Sequence, residues 1–444
     1  LPFDLPELRT GRPVRARRSA SMGWEGAFRV LDRALHRYER RPIAGLRRAA
    51  LNRATEWIVA RQEPDGSWGG IQPPWVYSLI ALNLQGYHLD HPVMRRGLSG
   101  LDRFTIHDEK GRRLEACQSP IWDTALAVNA LRDGGVPDDD PALVRAAGWL
   151  LDQEIKGPGD WAVRRPNLPP GGWAFEFDND GYPDTDDTAE VVLALRRVRH
   201  PGTRPVIDRA VRWMAGMVSR DGGFAAFDAD NTRELCTRLP FCDFGAVIDP
   251  PSADVTAHVV EALAAERPGS AVVKQAVTWL LKAQEPDGSW FGRWGANHIY
   301  GTGAVLPALI AVGVRPDTPC VRRAVAWLEA HQSDDGGWGE DLRSYRDPAW
   351  IGRGASTASQ TAWALIALLA AGERTPAVDR GIAWLVDHQR ADGTWDEPHF
   401  TGTGFPGDFY INYHLYRLVF PLSALGRYLG PHRDGAGPIT ETPA

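Results

Sequence analysis

The segment KQAVTWLLKAQEPDGSW, residues 274–290, is the clearest copy of a unit that the chain repeats. In each full copy a Trp lies five residues before a Gln, and an Asp-Gly turn then leads to a second Trp. The full copies are residues 53–68, 274–290, 322–338 and 379–395, and degenerate copies occupy residues 146–161 and 209–224. A period of this kind indicates one structural unit that is used several times.

Each copy predicts an amphipathic helix that ends at the turn, and an apolar segment such as SQTAWALIALLAAG follows as a second helix. One helix pair cannot bury its apolar face alone, so the pairs must stack or close into a ring. The repeat therefore predicts an all-α toroid. Within each copy we expect the Gln to hydrogen-bond backbone groups at helix ends and the Trp to pack over it and seal the turn.

Charge is unevenly distributed along the chain. The net charge of −6 over 444 residues argues against nucleic acid as the main partner. Between Arg9 and Arg61, however, there are fourteen Arg and four acidic residues, and this stretch is called the basic arm below. Scattered cysteines without CxxC spacing indicate reduced, buried thiols, and these are Cys117, Cys236, Cys242 and Cys320.

The basic arm also carries apolar residues at helical spacing. They are Trp24, Phe28, Leu31, Leu35 and Tyr38, with Arg residues between them. Two interpretations stay open: an interfacial helix that touches anionic lipid, or a helix packed on its own domain. No apolar run approaches the roughly 18 residues that a spanning helix needs, so any membrane contact would be peripheral or monotopic.

The segment DNDGYPDTDDTAE, residues 178–190, brings three carboxylates together at a predicted helix start. Asp184, Asp186 and Asp187 cannot all be comfortably ionised in a confined site, so at least one should retain its proton and could act as an acid. A simpler interpretation is a capping box, with Asp187 as the cap and Glu190 reaching back. A calcium loop is excluded because Pro183 occupies the position that requires glycine.

His258 follows Asp254 by one helical turn, which fits a histidine oriented by a carboxylate. A histidine satisfied within the core is the alternative. If His258 instead donates to Asp186, it would stabilise the carboxylate that remains after proton loss and strengthen that acid.

Near the C-terminus, aromatic residues recur at spacings of four, four and three, at Phe405, Phe409, Tyr413 and Tyr416. This spacing predicts one helix face made of aromatic rings, either as core or as part of a site. The preceding TGTGFPGD lacks the strand and helix context of a phosphate loop and is interpreted as a turn.

Taken with the repeats, the motifs DTDDTA, PFCDFG, DPPSADVTAH, GSWFGRWG and TGTGFPGDFY make the chain resemble squalene–hopene cyclases from about residue 1 to residue 430. The resemblance implies a catalytic barrel of the (α/α)6 type at residues 118–430, a partial second α-barrel domain with the basic arm at residues 1–117, and a disordered tail at residues 431–444. It implies cyclisation of squalene to hopene and hopanol without cofactor or metal. It also implies a homodimer bound monotopically to the cytoplasmic face of a bacterial membrane.

The same resemblance assigns roles to individual residues. Asp186 would protonate the terminal alkene beside Asp184 and Asp187, His258 held by Asp254 would sharpen its acidity, and Tyr300 would help to restore the proton. The aromatic lining that stabilises cations would comprise Trp122, Phe175, Phe227, Trp294, Phe405, Phe409, Tyr413 and Tyr416. Gln72 would mark the polar end where water quenches the last cation, and Phe241 and Cys242 the constriction of the substrate channel.

Two features depart from the family pattern. Phe227 stands where many members have Tyr, so a hydroxyl is lost although the ring remains. Members also carry a further N-terminal segment, so we expect this chain to be N-terminally truncated. The alternatives are an inactive lipid-binding toroid fragment, an oxidosqualene or diterpene cyclase, and a zinc prenyltransferase subunit, for which no Asp, Cys and His zinc set is evident.

Overall fold

Six helices form the inner ring of the computed structural model, which describes residues 23–109, 111–233, 236 and 247–430. The inner helices are α5 (Pro120–Asp133), α7 (Thr185–Arg196), α9 (Ala253–Glu266), α11 (His298–Ala311), α13 (Ala358–Ala370) and α15 (Tyr416–Leu429). Each packs against the next in chain order, and α15 packs against α5, which closes the ring. Of these, α11 and α13 are apolar nearly all round, as helices buried on both faces must be.

The outer ring contains the repeat copies. Its described helices are α6 (Pro141–Asp152), α8 (Thr203–Gly216), α10 (Ala271–Lys282), α12 (Pro319–Ala330) and α14 (Pro376–Asp387). Several begin with proline, which lacks the N–H that would be unsatisfied at a helix start. Each outer helix precedes an inner one in the chain, so the predicted all-α toroid is confirmed.

The turn of each copy fastens its outer helix to the next. Gln332 Nε2 donates to the carbonyl of Gly336 at 2.7 Å, within its own turn, and to that of Ala377 at 2.8 Å, at the start of α14. Trp338 Nε1 donates back to the carbonyl of Leu328 at 2.8 Å. The predicted roles of the repeat Gln and Trp are therefore confirmed. The same pair of Gln bonds recurs at Gln62 and Gln284.

The N-terminal part has a smaller core of its own, centred on Trp75 and Phe104. Its helices are α1 (Trp24–Arg40), α2 (Ala44–Ala60), α3 (Gln72–Leu84) and α4 (Pro92–Arg103), and a hairpin of β1 (Thr105–Asp108) and β2 (Gly111–Leu114) follows. The helical spacing in the basic arm thus predicted α1 correctly. No helix in the described part of the chain is long and apolar enough to cross a membrane.

The predicted aromatic helix near the C-terminus is wrong. Strands β3 (Gly402–Phe405) and β4 (Phe409–Ile411) form an antiparallel hairpin there, and α15 begins only at Tyr416. Gly407 has a φ of 89°, a left-handed conformation that a helix cannot contain, and Pro406 precedes it. The hairpin is linked to the inner ring through a bridge between Gly402 and Gly295. The predicted tail, residues 431–444, lies outside the described residues.

Candidate active site

The N-terminal ends of the inner helices meet at one end of the barrel. Trp122 is the third residue of α5, Asp186 the second of α7, Tyr300 the third of α11 and Tyr416 the first of α15. All inner helices run in the same direction because an outer helix returns the chain each time. Residues almost 300 positions apart consequently meet, as Trp122 and Tyr416 do through a 2.9 Å hydrogen bond.

Asp184 caps the helix that carries the carboxylate cluster. Its side chain accepts a hydrogen bond of 2.7 Å from the backbone N–H of Asp187, and α7 begins at Thr185. The capping interpretation with Asp187 as the cap is therefore wrong by three positions. Glu190 does not reach back to the helix start, since its carboxylate accepts a hydrogen bond from Asn129 Nδ2 at 3.0 Å. Asp186 is the second residue of α7, and its side chain does not cap the helix.

Asp186 pairs with His258 across two inner helices. His258 Nδ1 lies 2.7 Å from Asp186 Oδ1, and the pair is largely buried. Burial alone would lower the pKa of His258, but the surrounding carboxylates, led by Asp186, outweigh burial and raise that pKa to about 10. The imidazole is therefore charged at neutral pH and donates to Asp186.

The two carboxyl groups beside Asp186 hold protons more firmly than an exposed aspartic acid does. Burial raises the pKa of Asp184 to about 7, and burial together with the charge of Asp184 raises the pKa of Asp187 well above its usual value. One oxygen of each, Asp184 Oδ2 and Asp187 Oδ1, is buried without a hydrogen-bond partner among the described residues. The expectation that some carboxyl of this cluster retains its proton is thus met next to Asp186.

Asp254 does not hold His258 as predicted. Its Oδ2 accepts hydrogen bonds from the backbone N–H groups of Arg293 at 2.9 Å and Trp294 at 2.8 Å. These bonds fix the loop that carries the Trp294 ring. Asp254 acts on His258 only through its charge, as one of several nearby carboxylates.

A cavity of about 440 Å³ opens in front of Asp186. This reaction cavity is within the size range of small-molecule sites, and most of its wall is apolar. Asp184, Asp186 and Asp187 lie at its end. All eight aromatic residues predicted as lining border it: Trp122, Phe175, Phe227, Trp294, Phe405, Phe409, Tyr413 and Tyr416.

The rings of the wall are held by one another. Tyr413 and Tyr416 stack with centroids 4.4 Å apart, and Phe175 meets Tyr413 edge-on at 6.3 Å. Phe227 meets Trp294 in the same way at 6.1 Å. Aromatic faces attract cations without offering a nucleophilic atom that could trap them. The aromatic wall is thus chemically suited to stabilising a carbocation, and the carboxyl groups that border the cavity are suited to forming one by protonation.

Two further predicted site residues do not border the reaction cavity, and the positions of two more are not described. Tyr300 does not border the reaction cavity; its ring lies 6.2 Å from that of His258, on the far side of the ion pair. Gln72 begins α3, next to Ile71, which does border the cavity. Phe241 and Cys242 lie outside the described residues.

Two residues were missed by the sequence-based predictions. Trp363 lies 4.7 Å from the Tyr300 ring, and its only signal was an aromatic residue within an apolar inner-helix segment. Glu176 borders the reaction cavity, and burial raises its pKa to about 10. No group of three His, Cys, Asp or Glu side chains in the described ranges is arranged to hold a metal ion.

Two family models cover almost the whole chain. The model described as the squalene-hopene cyclase C-terminal domain matches residues 118–430, and the N-terminal domain model matches residues 1–110. The squalene–hopene cyclase of Alicyclobacillus acidocaldarius is 57% identical over 96% of this chain and 68% of its own length. That of Schizosaccharomyces japonicus is 43% identical over 94% and 65%. The dammaradiene synthase of Dryopteris crassirhizoma is 39% identical over 90% and 63%.

The chain therefore spans about two thirds of the length of these curated relatives. Among solved structures, ent-copalyl diphosphate synthase from Streptomyces platensis is similar with a TM-score of 0.50 and 25% identity, over 77% of this chain and 55% of that one. A variant of the type II terpene cyclase MstE from Scytonema also has a TM-score of 0.50, at 17% identity over 85% and 96%, which supports the fold alone.

Proposed function

The chain belongs to the squalene–hopene cyclase family, and from this membership we propose that it cyclises squalene to the pentacyclic hopanoids hopene and hopanol. The observation that carries the proposal is the Asp186–His258 pair at the end of an aromatic cavity. Relatives of the dammaradiene synthase and ent-copalyl diphosphate synthase types are less similar to the chain than the first squalene–hopene cyclase.

The proposed reaction begins at Asp186. An isolated alkene is a very weak base, so its protonation needs a strong acid in a site that excludes water. His258 carries a positive charge 2.7 Å from Asp186 and stabilises the carboxylate that forms when the proton leaves. Asp184 fixes the start of α7 and so holds Asp186 still.

The cations that follow move along the aromatic wall. Each ring face stabilises a nearby cation by roughly 0.5–2 kcal/mol, and none of them competes as a nucleophile. Loss of a proton from the last cation gives hopene, and addition of water gives hopanol. We assign the water that ends the cascade to the side of Gln72, and substrate entry to Phe241 and Cys242.

We further propose that the protein is a homodimer bound monotopically to the cytoplasmic face of the bacterial membrane. Support comes from the basic arm, where Trp24 is 68% exposed and Leu35 50% exposed among Arg side chains. An amphipathic helix of this composition suits the headgroup boundary of an anionic membrane.

The direct test is incubation of the chain with squalene in detergent, followed by mass analysis of the extracted lipids. We expect pentacyclic product from the unaltered chain and none from Asp186→Asn, which keeps the shape of the side chain but cannot donate the proton. A folded unaltered chain that forms no cyclised product supports the inactive lipid-binding fragment instead. Activity that persists in Asp186→Asn contradicts the assignment of the acid.

A further inference from the structure

A second cavity, of about 420 Å³, lies in the barrel behind the ion pair. It is lined by the later turns of the inner helices, whereas the reaction cavity is lined by their first residues and the connecting loops. Asp186 borders the reaction cavity and His258 borders this one, which is called the polar cavity below. The Asp186–His258 pair therefore forms part of the partition between the two.

The polar cavity differs chemically from the reaction cavity. Its wall carries charged and hydrogen-bonding side chains from five inner helices, including Asn129, Asp133, Glu190, Glu261, Ser423 and Arg427. A polar space of this size has room for several water molecules, each of which can find two or more partners. Tyr300, to which the family resemblance assigns a part in proton return, borders this space, but no role has been assigned to its carboxyl groups.

Glu190 is the group of the polar cavity that is best placed relative to the acid. It follows Asp186 by four residues on α7, so the two side chains lie on one face of the helix, one turn apart. Its side chain is held by the 3.0 Å hydrogen bond from Asn129, and the residue is only 8% exposed. Nothing in the proposed initiation step uses it.

The surroundings of Glu190 suit a group that gains and loses a proton. Burial raises its pKa to about 7, the charge of His258 opposes that rise, and the carboxylates of Glu261 and Asp186 add to it. Tyr300 on α11 and Arg427 on α15 also face it. At neutral pH Glu190 is therefore divided between a carboxylic acid and a carboxylate.

Asp186 needs such a partner, because every turnover takes its proton. In the proposed cascade the last cation releases its proton within the reaction cavity, whose wall is mostly apolar. The proton cannot return through that cavity without bringing water to the cations. The polar cavity approaches the acid from the other side.

We propose that Glu190 returns the proton to Asp186 from water in the polar cavity, an inference that rests on the proposed cyclase function. After initiation Asp186 is a carboxylate. The Glu190 carboxyl group gives its proton to Asp186, directly or through one cavity water, and the Glu190 carboxylate then takes a proton from water that exchanges with solvent. One proton enters for each proton that the last cation releases. Glu190 acts through Asp186 and does not touch the substrate.

The test compares the first turnover with later ones in the variant Glu190→Gln, whose amide oxygen can still accept from Asn129. The proposed first protonation uses a proton on Asp186 that does not depend on Glu190, so we expect product equal to one per active site at the unaltered rate. Later turnovers should slow at least tenfold in kcat with KM unchanged. The amplitude of the first turnover counts the folded sites, so partial misfolding does not affect the comparison.

Glu266→Gln removes a carboxylate at the end of α9, outside both cavities, and serves as the control with an unchanged kcat. An unchanged kcat in Glu190→Gln overturns the proposal. So does an equal slowing of first and later turnovers, or an equal loss in both variants. If the unaltered chain forms no product, the proposed function itself fails, and this outcome is distinct from the others.

Discussion

Two features of the surroundings of Asp186 have opposite effects on its negative charge. Asp186 is buried next to two further carboxyl groups, which disfavours its charge, yet a charged imidazole lies 2.7 Å away and favours it. The imidazole therefore stabilises the carboxylate that the proposed initiation step leaves on Asp186. The ion pair is thus the residue-level basis of the proposed chemistry.

His258 should make the stability of the fold depend on pH. Its pKa rises from 6.5 to about 10 on folding, so its charge stabilises the folded chain fully below about pH 6.5. That contribution is lost as the pH rises towards 10. We expect the free energy of unfolding to fall between these limits, by an amount on the order of 5 kcal/mol at most. Urea titrations should show a smaller fall in His258→Gln, and identical pH dependence in both proteins would contradict the pairing.

Substitution of Phe409 tests whether the aromatic wall stabilises the cations of the proposed reaction. Phe409→Leu keeps an apolar side chain but removes the ring face, which costs about 0.5–2 kcal/mol of cation stabilisation and slows cyclisation by about 2- to 30-fold. Cations that are less stabilised should also lose protons earlier, giving products with fewer rings. Product profiles by mass analysis measure both effects. Phe177→Leu, at a 53% exposed ring outside the reaction cavity, is the matched control and should leave the profile unchanged.

Single residues differ in how well the sequence predicts their surroundings. The crowding of Asp184, Asp186 and Asp187 follows from their positions in the sequence. The hydrogen bond between His258 and Asp186 is one of the alternatives that the sequence leaves open for this histidine. Asp254 was assigned wrongly because a spacing of four residues places two side chains on one helix face without selecting their rotamers. Its carboxylate instead satisfies two backbone N–H groups about 40 positions later, which no local pattern reveals.

Helices and turns are held together by bonds between neighbouring repeat copies. When a full copy is followed by another helix of the same layer, its Gln side chain donates two hydrogen bonds. One goes to a backbone carbonyl of its own turn and one to a carbonyl of the following helix, as at Gln332. Stability therefore accumulates along the ring through contacts between adjacent units.

Gln332 and Gln389 form a natural comparison of this effect. Gln332→Ala removes two bonds to carbonyl groups, one of which joins the turn after α12 to α14, and a third bond that Arg380 donates to the amide oxygen, so we expect a loss of about 1–3 kcal/mol. Gln389 donates only to Gly393 within its own exposed turn, so Gln389→Ala should cost less, about 1 kcal/mol or below. Denaturant unfolding measures both. An equal loss in the two variants would contradict the linking role.

The hairpin shows where element prediction failed. The spacing of Phe405, Phe409 and Tyr413 matches a helix, but Pro406 and the left-handed Gly407 make the chain reverse between the first two. Glycines 402 and 404 also lie against the rings of Tyr413 and Phe409, leaving no room for a Cβ atom. The glycines and the proline of TGTGFPGD predict a turn, and a turn between Phe405 and Phe409 is incompatible with one continuous helix face.

At the scale of the molecule, closure of the ring determines the site. Parallel inner helices bring their starts to one end, which places the acid and the aromatic wall together, and their later turns surround the polar cavity. The toroid itself follows from repeated helix pairs. The polar cavity could not be predicted, because its side chains are spread over all six inner helices and carry no common motif.

The composition of the basic arm predicts that the chain binds to anionic membranes. The chain should float with anionic liposomes, and the double variant Leu31→Glu, Leu35→Glu should remain with the unbound protein, because both side chains are about half exposed on α1. Val386→Glu, at a 55% exposed position on α14, is the control and should still float. An unaltered chain that stays unbound would contradict the membrane proposal.

The most direct test of the central claim follows the hydrogen that starts the cascade. Carboxyl protons exchange with solvent, so in D₂O the proposed acid at Asp186 carries deuterium. Squalene and hopene have the same composition, and one hydrogen is gained for each one lost. Mass analysis of hopene formed in D₂O should therefore show product one mass unit heavier than product formed in H₂O. Hopene of unshifted mass would contradict initiation by an exchangeable protein acid.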